Sequence, residues 1–131
     1  MSNGLFSAIG ATYKALVAKL TRKGVHVGGT GAYPRVEVHS VIEAPAMDKD
    51  GRIKSLTCTV ESISEDRLAS VLQMNGDNLQ LLLAESLQID EPWHIIGIHA
   101  GVAQQLTETS DTNAIIYRII QDLTIYVERK N

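Results

Sequence analysis

Leu5, Ile9, Tyr13, Leu16, Val17 and Leu20 recur at helical spacing and predict an amphipathic helix from about Asn3 to Thr21. Ser2 or Asn3 suits its N-cap, where a short polar side chain satisfies free N–H groups, and Gly24 suits its stop. After a glycine-rich stretch the period changes to two. Between Tyr33 and Ala44, Val36, Val38 and then Val41 or Ile42 alternate with Glu37, His39 and Ser40, the pattern of a half-buried strand. The phase slips near Ser40, which marks a bulge. Pro45 closes this strand and Asp50-Gly51 supplies a tight turn. In "RIKSLTCTVESI", Leu56, Cys58 and Val60 then oppose Thr57, Thr59 and Glu61, so residues 33–63 read as a long antiparallel hairpin.

The helical period returns with Leu68, Val71, Leu72, Leu79, Leu82, Leu83 and Leu87, a stripe running from about Glu65 to Leu87. Ser62 or Ser64 is placed to cap this helix, and Ser62 with Glu65 has capping-box spacing. Gly76 and Asn78 weaken its middle, yet the apolar phase continues across "NGDN", which favours one helix over two. "WHIIGIHAGVAQQL" is rich in β-branched residues and interrupted by glycine, so it predicts a strand from about Trp93 to Thr107. Polar "TETSDTN" turns the chain. Ile115, Tyr117, Ile119, Leu123, Ile125 and Val127 then oppose Arg118, Asp122, Thr124 and Glu128 in a last strand. The order α-β-β-α-β-β predicts an α+β fold: a four-stranded antiparallel sheet of two hairpins, with the N-terminal and middle helices packed on one face.

At 131 residues, the chain has the size of one domain spanning 1–131, large enough to bury a core without disulfides or metal. A net charge of -3 and the lack of a Lys/Arg cluster argue against a protein whose task is gripping a phosphate backbone. The single Cys58 excludes an internal disulfide and fits a reducing compartment. The N-terminal stretch has no early Lys or Arg, is interrupted by Lys14 and Lys19, and shows no small-residue cleavage site, so no export signal is expected.

"GVHVGGTGAYP" invites a nucleotide-binding reading. A P-loop requires lysine and a hydroxyl residue after its last glycine, but Gly31 is followed by Ala32 and Tyr33. A dinucleotide loop runs from strand to helix, and here the helix comes first. The stretch is better read as a pliable joint. "DKDG" begins like a calcium loop, but Thr57 stands where the closing glutamate belongs. His94 and His99, five apart, would face opposite sides of a regular strand, and His26 and His39 lack acidic companions at useful spacing. Cys58 lies among apolar alternates and there is no nucleophile elbow, while the carboxylates gather at turns and helix starts. Catalytic, cofactor and metal sites are therefore not expected. The long strands and their edges instead suggest contacts between chains, as in a homo-oligomer.

The N-terminal helix, "YPRVEV", the hairpin "DKDGRIKSLTCTVES", the leucine-rich helix opening in "SEDR" and the closing "YRIIQDLTIYVER" together resemble the small tail terminator, or tail completion, proteins of long-tailed bacteriophages and prophages. The likeness covers nearly the whole chain and lies in element order rather than in specific motifs. The first loop is more glycine-rich, and the second helix less plain, than in the members compared. The resemblance implies a non-enzymatic virion protein, made in the bacterial host cytoplasm, with no cofactor and no membrane partner. It would form a ring, commonly a hexamer, at the head–tail junction, where it stops tail-tube growth and meets the head connector or head-completion protein. DNA would pass through the lumen unread. Partner contacts are expected from the loops Gly24 to Ala32 and Met47 to Arg52, with Gly28, Gly29, Thr30, Met47, Asp48, Lys49, Asp50 and Arg52 as the candidates. Two alternatives are another head-to-tail joining or minor capsid protein, and a bacterial small-ligand or protein-binding module.

Overall fold

The computed structural model describes residues 8–22, 26–28, 33–44, 51–65, 67–84, 87–89 and 91–130. Its elements are α1 (Ala8–Arg22), β1 (Arg35–Glu43), β2 (Ile53–Glu65), α2 (Leu68–Ala84), β3 (Trp93–Thr109) and β4 (Ile115–Arg129). The strands form one antiparallel sheet in the order β1-β2-β4-β3, so the two hairpins lie side by side with β2 paired to β4. Both helices pack on one face, α1 over β1 and β2, α2 over β2 and β4. The predicted α+β architecture is the observed one.

Alternation explains which strand residues meet the helices. Val36 and Val38 on β1, Leu56, Cys58 and Val60 on β2, and Leu123, Ile125 and Val127 on β4 form the buried layer beneath them. Each such aliphatic side chain contributes roughly 1.5–3 kcal/mol through the apolar surface it withdraws from water. The bulge expected near Ser40 is present: the β1–β2 register jumps between His39 and Ile42, and Ser40 adopts φ 59°. Gly51 closes the first hairpin with φ 68°, a left-handed conformation that glycine accepts without a Cβ clash. Pro45 and Asp50 lie outside the described residues, as do the proposed caps Ser2, Asn3 and Gly24.

Three expectations are corrected. In α1 the buried residues are Ala8, Ala11, Thr12, Ala15, Leu16, Lys19 and Leu20, while Ile9 and Tyr13 are 40% and 46% exposed. Small residues face the sheet because they let the helix backbone approach it closely, and this rotates the helix from the orientation its largest side chains suggest. Ser62 and Ser64 are buried within β2 rather than capping α2, which starts at Leu68. Ser62 faces the helix and its Oγ accepts a hydrogen bond from the buried Asn78 Nδ2 at 3.1 Å. Asn78 thus anchors α2 to the sheet where the sequence suggested a weak point, and α2 is one unbroken helix. On β4, Ile115 is exposed and Gln121 is buried, so the stripe is neither wholly apolar nor covered along its full length.

Candidate interaction surface

β3 is an edge strand, and residues 99–109 are all exposed. No described strand lies beyond it. Its sequence, WHIIGIHAGVAQQLTET, contains no lysine, arginine or proline, the residues that commonly guard an edge against pairing. Val102, 71% exposed, and Leu106 project from it. Register shifts between Ile95 and Gly97 and between Ala100 and Ala103 show two bulges. The second is held from inside the fold. The buried Gln121 donates from Nε2 to the Gly101 carbonyl at 3.1 Å and to the Asp122 carbonyl at 2.9 Å, while its Oε1 accepts from Asn75 Nδ2 of α2 at 3.3 Å. The hairpin tip is also closed: Ser110 Oγ accepts from the Thr112 and Ala114 amides, and Asn113 takes φ 66°.

The sheet face away from the helices carries a chain of polar and charged groups across all four strands. His39 Nε2 of β1 lies 3.1 Å from Glu61 Oε1 of β2; Arg118 of β4 donates from Nη1 to Glu61 Oε2 at 2.9 Å and from Nε to Glu108 Oε1 of β3 at 2.8 Å. Burial opposes the charge on Arg118, but its hydrogen bonds to the two carboxylates outweigh that and raise its pKa above the ordinary arginine value. Ile63 pairs in register with Arg35 on one side and Arg118 on the other, so arginine stems flank it on a face without helices, and it is fully buried. The network ties the outer half of β3 to the rest of the sheet.

On the helix side, α2 leaves part of β3 uncovered. An open groove of about 570 Å³ runs along the start of β3, with Leu83, Leu87, Ile89, Ile95 and Ile98 and the charged Glu91 and Lys130 among its lining residues. Further along, Ala100 and Ala103 pair with the helix-facing Leu123 and Gln121, yet both alanines are exposed because no described element covers them. Between Arg67 and Arg118 the chain has no lysine or arginine and six acidic residues. Over Ala8–Arg22, by contrast, α1 has Lys14, Lys19 and Arg22 and no acid.

Of the residues predicted to meet partners, Gly29, Thr30, Met47, Asp48, Lys49 and Asp50 lie outside the described residues. Gly28 N donates to the Val36 carbonyl at 2.8 Å and Val36 N to the His26 carbonyl, so residues 26–28 form a short parallel bridge on the outer edge of β1. This part of the glycine-rich joint is fastened to the sheet. Arg52 donates from Nε and Nη2 to the Arg129 carbonyl at 3.2 Å, clasping the ends of β2 and β4. The structure does not bring Gly28 and Arg52 together. The sequence points to strand edges in general and not to that of β3, although its long cation-free run is a readable signal.

The histidine reading is also corrected. The bulge at Ile95 to Gly97 changes the phase, so His94 and His99 oppose Glu128 and Thr124, which share one face. His94 Nε2 lies 3.2 Å from Glu128 Oε1, and the His99 ring meets Tyr126 edge-on at 5.6 Å. Among the described residues, no group of three His, Cys, Asp or Glu side chains is placed to hold a metal ion. Cys58 is fully buried, and that burial, with a smaller effect of the Asp122 carboxylate, pushes its thiol up to about 12. No described helix is long and apolar enough to cross a membrane.

No family model and no curated protein matches the chain. Among solved structures, a chain from the virion of a native gene transfer agent (GTA) particle shares the fold, with a TM-score of 0.70 over 98% of this chain and 99% of that chain at 18% identity. The likeness shows that this arrangement of two helices on a four-stranded sheet is one that another chain adopts from end to end.

Proposed function

We propose that the protein is a structural component of a phage-like virion, a tail terminator or tail completion protein that acts through contacts rather than catalysis. The observation that carries this reading is the end-to-end fold shared with a chain of the gene transfer agent virion. The long unguarded edge of β3 supports it, since such an edge suits a protein that assembles. In this reading, copies form a ring, commonly a hexamer, on the end of the tail tube at the head–tail junction. One rim stops tube growth and the other receives the head connector, and DNA threads the lumen without sequence-specific contacts. The loops containing Gly28 and Arg52 face partners at the rims.

The test is tube assembly. Purified tail-tube subunits polymerise with and without this protein, and tube length is measured by electron microscopy. Shortened tubes with a ring at one end are expected. Unrestrained growth, with the protein instead bound to purified capsids, would favour another head-to-tail joining protein and overturn the terminator assignment.

A further inference from the structure

The two outer edges of the sheet are not equivalent. On β1, Gly28 N donates to the Val36 carbonyl and Val36 N to the His26 carbonyl, and the strand bulges beyond His39, so that edge is partly occupied and then irregular. On β3 the register with β4 is unbroken from Ala103 to Thr109, every residue of this stretch is exposed, and no described strand lies outside it. The bulge at Ala100 to Ala103 bounds it on one side and the closed turn from Ser110 to Ala114 on the other. Alternate backbone N–H and C=O groups of an edge strand point outward, so residues 103–109 present a row of them to an antiparallel neighbour.

The side chains of this stretch complement themselves about Leu106. Gln104, Leu106 and Glu108 pair with Ile120, Arg118 and Ile116 and share the face away from the helices, while Gln105 and Thr107 pair with Ile119 and Tyr117 on the other face. Set a second copy antiparallel with Leu106 opposite Leu106, and two apolar side chains, each 41% exposed, meet at the centre. Each Gln104 amide then faces the Glu108 carboxylate of the other copy, and each Gln105 faces a Thr107 hydroxyl. Arg118 Nε binds Glu108 Oε1, and a carboxylate accepts several donors, so the amide adds to that bond without replacing it. Moving the centre by one residue sets Leu106 against Gln104 or Glu108 and loses these matches. Apart from its two histidines, Glu108 is the one ionisable side chain of β3. In this register its two copies lie about 14 Å apart along the strands, where salt screens them.

We propose that β3 of one copy pairs antiparallel with β3 of a second copy over residues 103–109, about a two-fold axis at Leu106, so that one sheet continues through both molecules. Any extended chain can bond the backbone groups of an edge; a second copy of this stretch also supplies the matching side chains. The contact is isologous and closes at two copies. It goes beyond the proposed function and does not rest on it, since a ring is built from other contacts and this pair covers the edge of the free protein.

Cysteine cross-linking of the full-length protein reads contact and register together, because Cys58, the chain's single cysteine, is buried. Leu106→Cys, Val102→Cys, Gln104→Cys and the double variant Gln104→Cys/Glu108→Cys are each treated with a short bis-maleimide. Leu106→Cys is expected to give dimers. The double variant should give dimers and stop there, although its two thiols would let an open chain of copies grow into a ladder. Gln104→Cys alone, and Val102→Cys despite its 71% exposure, should link several-fold less. Equal linking of Val102→Cys and Leu106→Cys, or a ladder from the double variant, would overturn the proposal. Sedimentation of the unmodified protein guards against a misfolded variant: monomers and dimers in a concentration-dependent balance are expected. Leu106→Lys, which sets two cations face to face, should raise the dissociation constant roughly tenfold or more. A wild type that stays monomeric at millimolar concentration, or a dimer that Leu106→Lys leaves intact, would overturn the pairing.

Discussion

Replacing Arg118 with methionine removes the cation that joins Glu61 and Glu108 while keeping a stem long enough to flank Ile63. The two arms differ in value. The Glu61 carboxylate is only 9% exposed, so losing a charge-assisted hydrogen bond there costs about 2 kcal/mol, and leaving that carboxylate to His39 alone adds to it. The Glu108 side chain is 52% exposed, and its arm is worth about 0.5 kcal/mol after screening by water. The variant should therefore lose about 3 kcal/mol. Urea unfolding followed by the fluorescence of Trp93, the chain's single tryptophan and a buried one, reads this directly. With a slope of about 1.5 kcal/mol per molar urea, the midpoint falls by roughly 2 M. Glu108→Gln should move it by a quarter of that or less. A loss below about 1 kcal/mol for Arg118→Met, or equal losses for the two variants, would refute the view that the buried end of this network carries its stability.

Asn78→Ala strands the buried Ser62 hydroxyl and should cost about 2 kcal/mol in the same assay; adding Ser62→Ala should cost less than it does in the wild-type background, because the pair is already broken. For Cys58 the folded pKa lies above the ordinary thiol value, so its contribution is fully present below about pH 9 and is lost as pH rises toward 12. Over that window the wild type should lose up to about 4 kcal/mol more than Cys58→Ala, measured by urea midpoints at stepped pH.

The parts of this fold written in the sequence are those where one residue's neighbours in the chain decide its state. The alternation in β1, β2 and β4, the slip at Ser40 and the glycine of the first turn are of this kind, and all appear in the structure. What could not be read depends on distant partners. Ser62 looks like a helix cap until Asn78 is placed over it. The alanines of α1 look like filler until the sheet is near enough to require them. The polar chain from His39 to Glu108 runs diagonally across strands, so it exists only once every register is fixed. The bareness of β3 comes from no other described strand lying beside it. His94 and His99 show the limit most plainly, since one extra residue between them reverses the face that counting assigns.

The two bulges of β3 have a bearing on how far assembly can go. β3 is 17 residues long and faces a 15-residue partner across the same span, so the outermost strand is longer than the one that holds it and must coil. A flat edge accepts any extended chain and invites stacking without end. A coiled edge, fixed at its second bulge by an amide that the helix layer positions, selects neighbours by shape as well as by bonding groups. The feature that leaves this strand open to company is thus joined to one that limits the company it can keep.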